Sequence, residues 1–267
     1  GFASAFSVND IAFPFYTHYS KSKKLIESRI LGHLFGDGWI SDKQKTLGFS
    51  GKGNKADLEK IREDLKLLGF KSTNIFERET NSEINNGKKI LEVKGTSQSF
   101  QSTSAYKYFR EIAGFSGKKA LSNINIPDKL VNGSDLEKAE FLAALMGSDG
   151  QIISKAKNAK GDFNAIRFSF NRLTSLEKEA FYFANQIKEL FESLGIKVSS
   201  ISRKKGNILK DGRETIKIVI TLEKNIENTI SFLEKIGYRY CSRKEEAGIQ
   251  WLEYLKARSF LKTEREK

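Results

Sequence analysis

The sequence is poor in the side chains that bind soft metals or act as catalytic nucleophiles. Its 267 residues include one cysteine and two histidines. A single cysteine excludes an intramolecular disulfide framework and is typical of a reducing compartment. So few imidazole and thiol groups exclude a zinc finger or a zinc hydrolase, and they leave little room for Ser-His or Cys-His catalysis. Any metal site must therefore use oxygen ligands, which suit Mg²⁺.

Long apolar runs and a secretory leader are also absent from the sequence. The run Phe141–Met146 is far shorter than the roughly 18 residues that a membrane helix needs, and no basic region precedes an apolar one at the N-terminus. We therefore expect an intracellular protein (in the cytoplasm, nucleoid or organelle matrix) that is neither secreted nor bound to a membrane.

Acidic residues are outnumbered by basic ones. With 46 Lys and Arg against 33 Asp and Glu, the formal net charge is +13. Such an excess favours an anionic polymer as the partner, nucleic acid first and a membrane surface second. A hydrophobic content of 39% is enough for a folded core.

The chain contains an internal repeat. The segment ILGHLFGDGWI (30–40) is similar to LAALMGSDGQI (142–152), and each is followed by the same series of predicted elements. Hairpin signals occur at Asn86-Gly87 and at Asp211-Gly212, one in each half. The pattern predicts an α+β fold of two pseudo-symmetric αββαββα repeats. Its predicted divisions are an N-terminal extension (1–24), a first repeat (25–114), a linker (115–134), a second repeat (135–240) and a C-terminal helical segment (241–267).

Both motif helices carry small residues four positions apart and then end in Asp-Gly. Small residues at that spacing allow two helices to approach closely, which would bring Asp37 and Asp149 together. Carboxylates are unfavourable at helix C-termini, because the free carbonyls there already carry negative partial charge. Two such carboxylates, with backbone oxygens at Gly36 and Ser148, predict a site for Mg²⁺, where Mn²⁺ or Ca²⁺ could also bind. Such a site can polarise a phosphodiester and activate water.

At these residues the chain resembles the LAGLIDADG homing endonucleases in their monomeric, two-motif form. The motifs are Ile30–Gly38 and Leu142–Gly150, which lie 112 residues apart, and the resemblance covers about residues 25–255. The segments 125–150 and 236–255 resemble the endonuclease domains of inteins in particular. The resemblance implies a saddle-shaped antiparallel β surface that binds double-stranded DNA, and association with an intron or an intein. It also implies a monomer with internal pseudo-two-fold symmetry and no protein partner.

The resemblance also implies roles for particular residues. Asp37 and Asp149 would be both metal ligands and catalytic, and a lysine near the end of each sheet would assist. Lys224 is the candidate in the second half, and Lys118 or Lys119 is the candidate in the first. Residues expected on the DNA-facing strands are Ser41, Lys43, Lys45, Arg78, Lys155, Lys157, Arg167, Arg203 and Lys205.

The leading interpretation is a site-specific DNA endonuclease. It would make a staggered, Mg²⁺-dependent double-strand break in a long asymmetric duplex. Two alternatives stay open at this point: an RNA-binding intron maturase, and a non-catalytic DNA-binding regulator on the same scaffold.

Overall fold

Eight helices and seven strands make up the part of the chain that the computed structural model describes, which is residues 19–51, 55–85, 90–156, 162–209 and 211–265. The helices are α1 (Lys23–Phe35), α2 (Lys55–Leu67), α3 (Tyr106–Ala113), α4 (Asp128–Val131), α5 (Asp135–Ser148), α6 (Glu177–Ser193), α7 (Ile226–Lys235) and α8 (Ser242–Arg265). The strands are β1 (Trp39–Ser41), β2 (Thr46–Gly51), β3 (Phe76–Asn85), β4 (Ile90–Ser102), β5 (Arg167–Leu173), β6 (Val198–Ile208) and β7 (Glu214–Leu222).

The centre of the molecule is the packed pair of motif helices, α1 and α5. Helix α1 is buried on all sides from Leu25 to Phe35, as expected of a helix enclosed by other elements. Helix α5 begins with a capping box, in which the Ser134 hydroxyl accepts from the Glu137 backbone N–H while the Glu137 carboxylate accepts from the Ser134 N–H. A Cβ atom at Gly32 would overlap the carbonyl oxygen of Phe141. The two helices therefore meet closely enough that their ends share one site.

Two antiparallel sheets are associated with this helix pair. The first has the order β1-β2-β4-β3, and the second has the order β5-β7-β6. Phe49 pairs with Phe100 in the first sheet, and Phe168 pairs with Ile220 in the second. All four side chains are buried, so each sheet turns an apolar face towards the core.

The strand that was expected after each motif is shorter than the sequence suggested. Strand β1 ends at Ser41, so Lys43 and Lys45 lie in a turn and not along a strand. Asp42 lies in this turn, and its carboxylate accepts hydrogen bonds from Tyr106 and Ser116. After the second motif, the residues that the structure describes up to Ala156 form isolated bridges, from Gly150 to Phe168 and from Lys155 to Phe163. The expected strand register therefore fails at these positions in both halves.

Some expectations fall on residues that the structure does not describe. These are Lys157, the Asn86-Gly87 hairpin signal and most of the expected N-terminal extension. Gly212, at the other hairpin signal, has a φ of 83°, which suits a glycine in a tight turn. The saddle shape of a surface shared by the two sheets stays a prediction. Among the described residues, no helix is both long enough and apolar enough to cross a membrane.

Candidate active site

Asp37 and Asp149 follow the last turns of α1 and α5 and lie beside each other. A Cβ atom at Gly36 would lie 3.5 Å from Asp149 Oδ2, so the second carboxylate reaches the end of the first helix. Although part of Asp149 is exposed, burial among the surrounding atoms and then the charge of Asp37 raise its pKa to about 6. The two aspartates that the sequence singled out are therefore brought together, and the charge of Asp37 disfavours that of Asp149.

A lysine donates hydrogen bonds to the backbone carbonyls at the C-terminal end of each motif helix. Lys119 donates to the carbonyls of Leu34 (3.0 Å), Gly38 (2.9 Å) and Gly36. Its ammonium group has three donors, so these three carbonyls occupy all of them. Burial lowers the pKa of Lys119 to about 8, although the charges of Asp149 and Asp37 oppose the shift. The ammonium group offsets the negative end of the α1 dipole beside the carboxylates.

Lys244 does the same for α5. Its ammonium group lies 2.7 to 3.1 Å from four carbonyls, those of Met146, Gly147, Ser148 and Gly150. Burial lowers the pKa of Lys244, and nearby negative groups oppose the shift. The carbonyls of Gly36 and Ser148, which were expected to bind metal, therefore each already accept a hydrogen bond from a lysine.

Of the two lysines at the site, Lys119 was one of the candidates from the sequence and Lys244 was not. Lys118 is exposed and lies outside the site, while its neighbour Lys119 points into it. Lys224 is 40% exposed and pairs with Asp162 at 2.7 Å, so the second position belongs to Lys244. Sequence reasoning missed Lys244 because its approach to α5 depends on how the chain returns after α7. A signal was present, since Lys119 and Lys244 each follow the last helix of one half.

A cleft of about 360 Å³ opens beside Asp37. Its lining includes His33, Ser50, Asp57, Cys241 and Lys244. The Ser50 hydroxyl lies 3.5 Å from the carbonyl oxygen of Asp37, so a polar group borders the first carboxylate. The cleft gives this side of the paired carboxylates access to solvent and to a ligand.

The expected nucleic-acid-binding residues are spread over both sheets. Ser41 ends β1, and Arg78 is exposed on β3 with its guanidinium 5.0 Å from the Phe76 ring centre. Arg167 is exposed at the start of β5, and Lys205 is exposed on β6. Arg203 pairs with Glu177 at 3.0 Å, so the carboxylate partly neutralises the charge that Arg203 could offer to a phosphate. These side chains remain candidates for phosphate contacts, whereas Lys43 and Lys45 could make them only from a turn.

The residues at the site fit a divalent cation of the hard, oxygen-binding kind. Within the ranges described, no three or more His, Cys, Asp or Glu side chains form a cluster that could hold a metal. The protein side chains would therefore supply two carboxylates, and the other ligands would be water, backbone or substrate oxygens. Such a partial set is typical of Mg²⁺ bound together with a phosphate.

Comparison with known proteins finds archaeal relatives of three kinds. The chain is 31% identical over 240 residues to the DNA-directed RNA polymerase subunit Rpo1N of Methanocaldococcus jannaschii, covering 89% of this chain and 17% of that protein. It is 31% identical over 253 residues to the tRNA-splicing ligase RtcB of the same organism, covering 91% of this chain and 25% of the relative. The replication factor C small subunit of that organism is 28% identical over 230 residues, which is 83% of this chain and 11% of the relative. No family model matches the chain.

These names contradict the expected family and function. Five relatives are named tRNA-splicing ligase RtcB, and none of the relatives found is named a homing endonuclease or a LAGLIDADG protein. The assignment to that family, the cleavage of a long DNA duplex, the intron or intein association and double-stranded DNA as the partner are corrected accordingly. Neither alternative, the maturase or the regulator, is named among the relatives.

The chain spans only a small part of each relative. The shares of the relatives' own lengths run from 11% to 25%, whereas each match covers 83% to 91% of this chain. The matches therefore overlap over most of this chain. One stretch of sequence is common to proteins that carry three different names.

Proposed function

We propose that this chain binds nucleic acid and supports phosphoryl transfer on its backbone, with a divalent cation held between Asp37 and Asp149. The observation that carries the proposal is the pairing of two carboxylates at the C-terminal ends of α1 and α5. Each carboxylate faces the unfavourable end of a helix dipole and the charge of the other. A bound Mg²⁺ relieves both repulsions, and it can polarise a phosphate oxygen.

The two lysines make this arrangement possible in the free protein. Lys119 and Lys244 hold the carbonyls at the ends of α1 and α5 and place two positive charges beside the two negative ones. Because carbonyls occupy the donors of both lysines, we assign the lysines a structural role. They fix the ends of the two helices and balance the charge of the aspartates. The two ammonium groups therefore balance the two aspartates before a cation or a phosphate arrives.

The charge of the whole chain supports nucleic acid as the partner. The net charge is +13, and β6 carries the exposed cations Lys204 and Lys205. The names of the relatives agree with this class of partner, since they refer to RNA, DNA or replication. Phosphate contacts of this kind weaken with salt. For a single strand, log K falls by about 0.7 per contact for each tenfold rise in salt concentration.

RNA is the first substrate to test, because five of the relatives are named tRNA-splicing ligases. The chain spans at most 25% of those proteins, and the same stretch also matches a polymerase subunit and a replication factor. We therefore propose for this chain a site for phosphodiester chemistry, and not the complete activity of any relative.

The experiment incubates the protein with end-labelled single-stranded RNA, with and without Mg²⁺, and separates the products by length. Wild-type protein should change the length of the labelled RNA only when Mg²⁺ is present. Asp37→Asn and Asp149→Asn should each reduce that rate by about 100-fold or more, since each removes a metal ligand. Both variants should still bind the RNA, because the exposed cations are unchanged.

Asp128→Asn is the matched control. Asp128 is exposed on α4, and this substitution makes the same change of charge as those at the site. It should behave like wild type. DNA of the same sequence belongs in the experiment as a comparison substrate. Failure of Mg²⁺ to alter the RNA, or an equal loss in the Asp128 variant, would contradict the proposal.

A further inference from the structure

Arg172, on β5, is a buried cation without an acidic partner in the described part of the chain. It is 6% exposed, and its Nη1 donates to the carbonyl oxygen of Asn171 at 2.9 Å. No Asp or Glu oxygen among the residues described comes within 4.0 Å of its guanidinium nitrogens. Buried charges are almost always paired, so an unpaired one indicates a missing anion.

Packing explains only part of this position. The guanidinium carbon lies 4.8 Å from the centre of the Phe170 ring and 5.4 Å from that of Phe183. Aromatic rings interact with the flat faces of a guanidinium group, whereas its N–H donors point outward in its plane. The two rings therefore hold Arg172 in place, and they do not satisfy the edge that donates hydrogen bonds.

The neighbours of Arg172 belong to the candidate active site. Burial lowers the pKa of Arg172 to about 10, and the charge of Asp149 opposes the shift. Lys119 lies nearby, but its three donors are bound to the carbonyls of the first motif helix. Arg172 therefore has donors available for a ligand, whereas the donors of Lys119 are occupied.

Asp149 and Arg172 are close enough to affect each other but do not touch. A direct ion pair would neutralise both groups and leave neither for a ligand. Because the two groups are apart, the Asp149 carboxylate can bind a cation while the Arg172 guanidinium donates hydrogen bonds to an anion. That anion would also bind the cation. A phosphate has this chemistry, because one oxygen can bind the cation and another can accept from the guanidinium fork.

We propose that Arg172 binds a phosphate group of the substrate beside Asp149. The inference rests on the proposed function, because the phosphate would share its cation with the two aspartates. It adds a residue that no sequence motif pointed to, on a strand of the second sheet. The same phosphate would be the one on which the chemistry takes place.

The test measures metal binding and phosphate binding separately in the full chain. Mn²⁺ alone is titrated by paramagnetic resonance, and adenosine 5′-monophosphate is then titrated into the Mn²⁺-loaded protein by calorimetry. Adenosine, which lacks the phosphate, is the control ligand. Arg172→Gln should bind Mn²⁺ within twofold of wild type and the monophosphate about tenfold or more weakly.

Two further variants keep the result interpretable. Arg172→Lys retains the charge without the fork, and it should lose about threefold to tenfold in monophosphate affinity, which decides the question if Arg172→Gln does not fold. Arg62→Gln removes the same charge from α2, where Arg62 pairs with Glu59 at 2.7 Å, and it should match wild type.

The possible outcomes separate the two proposals. Normal Mn²⁺ binding with unchanged monophosphate affinity in the folded Arg172 variants would overturn the role of Arg172 and leave the metal site standing. Absence of Mn²⁺ binding in wild type would overturn the proposed function, and the role of Arg172 with it. A loss of adenosine binding equal to that of the monophosphate would mean that Arg172 does not recognise the phosphate.

Discussion

His33 is a buried imidazole, one turn before Asp37 on α1. Its ring lies 5.7 Å from that of Phe49 and 5.6 Å from that of Tyr240, and neither ring nitrogen has a hydrogen-bond partner among the described residues. Burial, followed by the charges of Lys119 and Lys244, lowers the pKa of His33 to about 3. The residue is therefore neutral in the folded protein and costs stability through its unsatisfied nitrogens.

We expect His33→Leu to stabilise the protein, most of all in acid. Leu145 occupies the corresponding motif position in the second half and is fully buried there. In the unfolded chain histidine gains a proton below about pH 6.5, whereas folded His33 stays neutral, so wild type loses stability as the pH falls towards 3. The variant should gain about 1 kcal/mol at pH 7 and about 2 kcal/mol more at pH 5.

Urea unfolding at the two pH values measures this difference. A variant whose stability falls between pH 7 and pH 5 as steeply as that of wild type would show that His33 is not the group responsible.

Asp149 should lower the stability of the metal-free protein near neutral pH. Its pKa is raised to about 6 from an ordinary value of 3.8, so the folded state binds more protons between those values and loses stability as the pH rises through them. Asp149→Asn should gain about 1 kcal/mol at pH 7, after allowance for solvent screening of an exposed group. That corresponds to about 2–4 °C in Tm.

Thermal melts with and without Mg²⁺ check this prediction. The gain should vanish near pH 3.5, where the aspartate is protonated in both states. Mg²⁺ should raise the Tm of wild type more than that of the variant. An equal rise in both proteins would mean that Asp149 does not bind the ion.

At the scale of elements, the contact between α1 and α5 depends on the absence of a side chain at Gly32. A Cβ atom there would overlap the Phe141 carbonyl oxygen and lie 3.0 Å from the Ala144 Cβ. Gly32→Ala should therefore destabilise the protein by about 1–3 kcal/mol, although alanine is the better helix former. It should also separate Asp37 from Asp149 and weaken Mg²⁺ binding.

Gly51→Ala is the matched control. A Cβ atom at Gly51 would meet Leu58 Cγ at an ordinary 3.4 Å, so the change should be close to neutral. Urea unfolding compares the two variants. Equal stabilities would contradict the close packing of the motif helices.

Local signals predicted some elements well and others poorly. A glycine after the last apolar residue of a helix is a local signal for its end, and Gly69 after α2 and Gly195 after α6 have the positive φ values, 90° and 78°, of such a cap. The short β1 could not be anticipated, because Asp42 is held by Tyr106 and Ser116, which lie 64 and 74 residues away. For the same reason, the resemblance implied a lysine near the end of the second sheet and offered Lys224, whereas Lys244 is the lysine that lies at the end of α5. Motif spacing identifies the carboxylates, whereas their cationic neighbours depend on tertiary contacts.

For the molecule as a whole, buried ion pairs join the two halves. Arg29 on α1 binds Asp64 on α2, with Nη2 to Oδ1 at 2.5 Å, and Arg239 binds Glu140 on α5 through two bonds of 2.9 Å. Arg29 Nη1 also lies 3.9 Å from Glu140 Oε1, so the two pairs form one group. The contact between Arg29 and Glu140 therefore links an ion pair of the first half to an ion pair of the second.

We expect Glu140→Leu to destabilise the whole molecule by about 3–5 kcal/mol, because it leaves Arg239 buried without its counter-charge. Glu189→Leu is the control, since Glu189 is exposed on α6, and it should change stability by less than about 0.5 kcal/mol. Thermal unfolding, followed by circular dichroism, measures the stability of both variants. A Glu140 variant as stable as the control would show that this buried group of ion pairs does not stabilise the molecule.

Cys241 is the single thiol of the sequence, and it lies half-buried in the wall of the cleft beside Asp37. A spectroscopic label can therefore be attached at one defined place without engineering other cysteines away. From there it would report on the space next to the paired carboxylates. The arrival and departure of metal or nucleic acid could then be followed in real time in a chain that carries no amino-acid substitution.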